Sequence, residues 1–119
     1  LQVLADPVAL EQIVHNLLTN ALQAVAQVPP AERRLDLAVG VDGAQGVLAV
    51  SDSGPGIEPD ALSRVFEPFF STRPGGLGLG LSLCETLAAS MGGGLSCRNL
   101  ETRGAEFRLV LPLAEAGAA

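Results

Sequence analysis

The chain has 119 residues, 48% of them hydrophobic and 17% charged, which is room for one domain with a core that removes roughly two thirds of the unfolded chain's surface from water. Its seven basic residues are all Arg, and the missing lysine excludes a Walker-type phosphate loop, a protein kinase of the eukaryotic kind and Schiff-base chemistry. A net charge of −6 excludes a nucleic-acid-binding face, because backbone phosphates require a basic one.

Asp6-Pro7 marks the first helix, with Asp as N-cap and Pro at the first helical position, where its missing N–H costs nothing. Leu10, Ile13, Val14, Leu17, Leu18, Ala21 and Val25 then recur at helical spacing as one apolar stripe. Pro29-Pro30 stops the helix. Leu35, Leu37, Val39 and Val41 alternate as a strand, Asp42-Gly43 and Gly46 make a turn, and Leu48, Val50 and Asp52 share one face of the returning strand.

Asp52-Ser-Gly-Pro-Gly-Ile57 is loop chemistry, and a short helix is predicted from Pro59 to about Val65. Phe66, Phe69 and Phe70 crowd into one segment, ahead of Ser71-Thr72-Arg73-Pro74 and Gly75-Gly76-Leu77-Gly78-Leu79-Gly80. A helix is predicted to start near Gly80 or Leu81 and to run to Met91, where Gly92-Gly93-Gly94 breaks it. Leu95, Cys97 and Asn99 face Ala105, Phe107, Leu109 and Leu111 in a second hairpin closed by Pro112, and the tail from Ala114 is predicted to fray. No apolar run is long enough to span a bilayer and no basic, then apolar, leader opens the chain, so a cytoplasmic domain is expected. The start at Leu1 without Met reads as a piece of a longer protein. Cys84 and Cys97 read as free thiols in a reducing compartment, and with a single His they do not make a zinc set.

Three sets of residues carry chemistry. Asn16 and Asn20 stand four apart on the first helix, stacked on the flank of its apolar stripe, with Gln12 and Gln23 extending the polar line. Their amide oxygens are hard, neutral ligands, adequate for Mg²⁺ when phosphates supply the negative charge; the alternative is a solvated helix face. Asp52 ends a strand and opens Gly54-Pro55-Gly56, where a carboxylate can accept from an exocyclic amine while glycines let a flat ring approach; an ordinary turn is the alternative. Gly76, Gly78 and Gly80 feed a helix, as a phosphate cradle does, with Arg73 the nearby cation.

In order these segments read N-L-L-T-N-A from Asn16, D-S-G-P-G-I from Asp52, F-E-P-F-F-S-T from Phe66 and G-L-G-L-G-L-S from Gly76, followed by M-G-G-G-L, R-G-A-E-F and L-P. The set resembles the N, first glycine, F and second glycine boxes of the catalytic ATP-binding domain of sensor histidine kinases, and it extends from Asp6 to Pro112. The resemblance implies the Bergerat fold: an α+β two-layer sandwich whose mixed, mostly antiparallel sheet is backed by helices and carries an ATP lid. It implies Asn20 at Mg²⁺ with Asn16 assisting at the metal and phosphates, and Asp52 accepting from the adenine amino group beside Gly54, Gly56 and Ile57. A lid from about Glu58 to Gly76 would be anchored by Phe66, Phe69 and Phe70. Gly76, Gly78 and Gly80 would cradle the phosphates, with Arg73 as the nearby cation, and Phe66, Leu77, Leu79 and Leu81 would also bind the cofactor.

Hydrolases of this fold carry a Glu four residues before the metal-binding Asn. Here Asn16 occupies that position and cannot take a proton from water, which favours phosphoryl transfer to a good nucleophile. The implied activity is donation of the γ-phosphate of Mg-ATP to a histidine on a separate dimerisation domain of the same kinase, which then serves a response regulator receiver domain. The fragment itself, residues 1–119, is expected to be a monomer with no membrane contact. Gln23 stands where family members often have Lys, Arg73 replaces the F-box Lys, and His15 lies outside an acceptor-histidine context. Two alternatives stay open: a catalytically silent nucleotide-binding or interaction module, and an anti-sigma-factor-type serine kinase of the same fold.

Overall fold

The computed structural model describes residues 3, 5–68, 70 and 80–113. Helix α1 (Pro7–Val25) starts as the sequence predicts: Asp6 is extended and its carboxylate accepts from the Val8 N–H at 3.0 Å, which satisfies one of the helix's orphan donors. The helix ends at Val25, ahead of the two prolines. Gln27 and Val28 donate three residues back, to Ala24 and Val25, because the residue before a proline avoids helical backbone. Arg33 then reaches back to the carbonyls of Val28 (2.9 Å) and Ala26 (3.2 Å), taking acceptors that the helix leaves open.

After a single 3₁₀ turn at Pro30–Glu32 come strands β1 (Leu35–Asp42) and β2 (Gln45–Asp52). Asp42 pairs with Gln45, so the connection is Gly43-Ala44 alone, with Gly43 at φ +60°; Gly46 belongs to the strand rather than to the turn. Helix α2 is a single turn, Pro59–Leu62, shorter than the predicted reach to Val65. The next N–H groups donate three residues back, Arg64 to Ala61, Glu67 to Arg64 and Phe70 to Glu67, so the chain descends in turns. Helix α3 (Gly80–Ser90) and the hairpin of β3 (Gly94–Asn99) and β4 (Ala105–Pro112) follow, each within a residue of expectation.

The strand order is β1-β2-β4-β3, and each described pairing is antiparallel. One face, carrying Val50, Phe107, Leu109, Leu111 and Leu95, receives Ile13, Leu17 and Ala21 of α1 and Cys84 and Ala88 of α3. Ile13 and Leu17 are fully buried, each stabilising the fold by about 1.5–3 kcal/mol relative to an exposed position. The helix layer stops short of the edge strand. Leu37, Val39 and Val41 lie on the helix-side face, in register with Val50, Leu48 and Gly46, yet remain 51%, 67% and 60% exposed. The opposite face is mixed: it carries the Arg98–Glu106 ion pair at 3.0 Å beside the paired Val47 and Val110. Among the described residues no helix is long and apolar enough to cross a membrane.

Candidate functional site

Asn16, Asn20 and Ala24 are successive residues at a spacing of four on α1, so they share one face over about 12 Å of helix. The chain brings a different loop to each end of that line. At one end the Asn16 amide donates to the Gly80 carbonyl and to the Cys84 sulfur, both at 3.4 Å, which ties Asn16 to the start of α3. At the other end Gly54 presses on Ala24: a Cβ added there would stand 2.8 Å from the Ala24 carbonyl oxygen and 2.9 Å from its Cβ. Asn20 lies between, half-buried, with its amide unpartnered among the described residues.

Asp52, the final residue of β2, is 5% exposed and is the one buried charged residue among those described. Its Oδ1 accepts from the N–H of Gly54 at 2.9 Å and of Ala105 at 3.4 Å. Burial pushes the carboxyl pKa above the ordinary 3.8, against the opposing pull of those two N–H groups. Among the described residues no buried side-chain oxygen lacks a partner. Oδ2, which no described donor reaches, is therefore not fully enclosed and keeps its acceptor capacity.

The hairpin of β3 and β4 sets the back of this loop. Gly104, at φ +88°, brings its backbone so close to Asp52 that a Cβ would lie 1.8 Å from the Asp52 carbonyl oxygen, a position that only glycine fills. Asn99 holds Ile57 by both of its backbone groups, accepting from the N–H at 2.8 Å and donating to the carbonyl at 2.7 Å. Neither Asn99 nor Gly104 carries a site role in the sequence reading. The signal available for Asn99 is its parity with Leu95 and Cys97, which aims a polar side chain at the helix-side face at the end of an apolar strand.

The remaining candidates fall into three groups. Ile57, Phe66 and Leu81 pack against the core, and the Phe66 ring meets Phe107 edge-on at 6.2 Å, so Phe66 serves the core and anchors the turns beyond α2. Glu67 pairs with Arg64 at 3.5 Å, and the Arg64 guanidinium stacks 4.7 Å over Phe70. Phe69, Arg73, Gly76, Leu77, Gly78 and Leu79 lie outside the described residues, as does the tail from residue 114. His15 is exposed. Both cysteines are free.

The donor set fits a divalent ion of one kind. Among the described residues no three His, Cys, Asp or Glu side chains converge on a metal position. Two neutral amides four residues apart on one helix suit an ion that arrives with phosphate oxygens already bound.

An antiparallel sheet backed on one face by α1 and α3 is the architecture of histidine kinase catalytic domains. The mycobacterial sensor histidine kinase MprB superposes with a TM-score of 0.80 at 30% identity, over 93% of this chain and 76% of that one. The catalytic domain of histidine kinase ThkA gives 0.79 at 29%, over 92% and 69%. Full-length ShkA, solved in complex with AMPPNP, gives 0.80 at 36%, over 96% and 23%.

The chain belongs to the family of histidine kinase-, DNA gyrase B- and HSP90-like ATPases, whose model matches residues 5–115. Its relatives include sensor proteins. It is 44% identical over 113 residues to the C4-dicarboxylate transport sensor protein DctB of Pseudomonas aeruginosa, covering 93% of this chain and 18% of that protein. To sensor protein TdiS of Thauera aromatica it is 36% identical over 108 residues, covering 89% and 20%. The chain thus spans about a fifth of the length of these relatives, and it is a histidine kinase/ATPase-like domain of the sensor-kinase type.

Proposed function

We propose that this chain, as one catalytic domain, binds Mg-ATP along α1 and presents the terminal phosphate to a histidine on a separate helical domain of its parent kinase, which in turn serves a response regulator. The observation that supports this most directly is the line Asn16–Asn20–Ala24, with Gly80 tied to one end and the Asp52 loop pressed on the other. In this reading the loop that Asp52 opens would serve the base at the Ala24 end of the line, with Asn16 at the far end and Asn20 between them available to the metal.

In this reading Asp52 Oδ2 accepts from the adenine amino group while Gly54 and Gly56 admit the ring. Asn20 and Asn16 would offer amide oxygens to the ion, and Gly80, at the start of α3, would lie toward the phosphates. Mg²⁺, when bound, neutralises charge on the triphosphate, and the protein's share is positioning. Asn16, at the place where a general base would activate water, has no site for a proton. The chain therefore orients a donor for an incoming nucleophile and does not prepare water. The ShkA complex with AMPPNP is consistent with nucleotide binding by such domains.

Calorimetric titration with ADP and Mg²⁺ tests the reading. Asp52→Ala should weaken binding by about 10- to 100-fold, the worth of a hydrogen bond to a charged group; unchanged affinity would remove Asp52 from the base site. Asn20→Ala should bind ADP equally well with and without Mg²⁺, and a preserved metal dependence would move the ion elsewhere. Mixing the domain with the histidine-bearing domain of its parent and γ-labelled ATP should transfer label. Intact binding without transfer would favour the silent module, the reading to which Gln23 in place of a phosphate-facing lysine points.

A further inference from the structure

We propose that Asn99 is a positioning residue for the base, acting as a two-point clamp that fixes the loop from Asp52 to Ile57 in its ring-accepting shape. This rests on the nucleotide reading above and adds to it a residue that touches neither base nor phosphate.

The geometry is that of a strand neighbour supplied by a side chain. Asn99 Oδ1 accepts from the Ile57 N–H at 2.8 Å, and its Nδ2 donates to the Ile57 carbonyl at 2.7 Å, so one carboxamide satisfies both backbone groups of a residue 42 positions away. Only an amide supplies donor and acceptor at this separation on one rigid plane. The last β3–β4 pair is Asn99 with Ala105, and Ala105 donates to Asp52 Oδ1. A single rung of the sheet therefore grips both ends of the loop, the carboxylate through the Ala105 N–H and Ile57 through the Asn99 side chain. The hairpin behind the rung is closed by Leu100 N–H to the Gly104 carbonyl at 2.9 Å.

Gly56 shows how closely the clamp sets the loop. It sits at φ +82°, where a Cβ would stand 3.0 Å from Asn99 Oδ1, so the amide oxygen occupies the space beside a backbone turn that L side chains avoid. Asn99 itself is exposed, and its two bonds compete with water. The clamp thus shapes the loop more than it holds up the fold, whose buried core lies elsewhere.

The test compares this chain with Asn99→Ala and with Asn99→Asp, an isosteric change that keeps the acceptor for Ile57 N–H but sets a second oxygen against the Ile57 carbonyl. Three quantities are read: affinity for Mg-ADP, affinity for Mg-GDP, and the amide exchange rate of Ile57 against those of Val50 and Phe107. Asn99→Ala should lose about 10-fold in ADP affinity, the scale of one net hydrogen bond or two weak ones, with GDP affinity unmoved. Its Ile57 amide should exchange at least about 10-fold faster while Val50 and Phe107 keep their wild-type rates. Asn99→Asp, with acceptor set against acceptor at Ile57, should show at least as large a loss with the same selectivity, and it carries the test if the alanine variant fails to fold. Equal losses for ADP and GDP, or unchanged ADP affinity, would overturn the proposal. A wild-type chain that binds neither nucleotide would overturn the nucleotide reading, and this proposal with it; that outcome is recognised before any variant is made.

Discussion

Keeping a carboxylate charged at 5% exposure costs free energy, and Asp52 shows how that cost is tied to a role. Two backbone N–H groups, of Gly54 and Ala105, hold Oδ1, yet desolvation outweighs them and the pKa lies above the ordinary 3.8. Between 3.8 and that raised value the folded chain holds more protons than the unfolded one, so stability falls as pH rises through this window and stays lower above it. Asp52→Asn removes the charge while its amide oxygen still accepts from Gly54. The variant should therefore unfold at higher denaturant than wild type at neutral pH, with the difference vanishing below about pH 3.8. Its amide nitrogen would meet an adenine amino group donor to donor, so ADP affinity should drop by about 30-fold even as stability rises, a change of about 2 kcal/mol. Urea titrations at the two pH values and one calorimetric titration check both halves. A variant less stable than wild type at neutral pH would mean that Asp52 is a structural group first.

At the scale of elements, legibility followed how local the signal is. The Asp6 cap, the β1–β2 turn and the glycine stop after α3 are written within a few residues, and the chain obeys them. The end of α1 and the length of α2 were less legible, because they depend on Arg33 reaching back to Ala26 and Val28 and on where the post-α2 turns dock against Phe107. The site shows the same divide. Asn16, Asn20, Asp52 and Gly54 stand out as residue types in a pattern, whereas Asn99 and Gly104 act through contacts spanning more than forty residues that no local spacing encodes. Alternation in β1 likewise revealed a strand but not its burial, since period two reports a face and not what covers it. Alanine substitutions separate those two meanings. Leu17→Ala, in the fully buried stripe of α1, should cost about 3 kcal/mol, whereas Val39→Ala, 67% exposed on the edge strand, should cost under about 0.5 kcal/mol. Urea midpoints decide it, and a Val39 effect as large as that of Leu17 would mean that the edge stripe is covered in solution.

Across the whole molecule the two thiols sit behind opposite ends of the proposed site, and that placement makes them reporters of whether one ligand spans it. Cys84 is fully buried in α3, 3.4 Å from the Asn16 amide, and burial pushes its thiol pKa up. Cys97 lies on β3, where desolvation and then the charges of Asp52 and Glu106 push its pKa up to about 12. At pH 7 such a thiol is ionised in about one molecule in 10⁵, and the thiolate is the form that reacts. Alkylation by iodoacetamide in the native state should accordingly be slow for both thiols and should proceed through local openings, larger ones for the fully buried Cys84 than for the half-buried Cys97. A ligand that binds only the closed fold lowers the open population by the factor 1 + [L]/Kd, so Mg-ADP at about 100 times its Kd should slow alkylation about 100-fold. Because α1 couples the Asn16 end to the Asp52 end as one rigid helix, both cysteines should slow together, as followed by mass spectrometry of their peptides. Protection of Cys97 alone would show a base held at Asp52 with the asparagine end of α1 left open. Protection of neither, with nucleotide demonstrably bound, would place the ligand away from this face of α1 altogether.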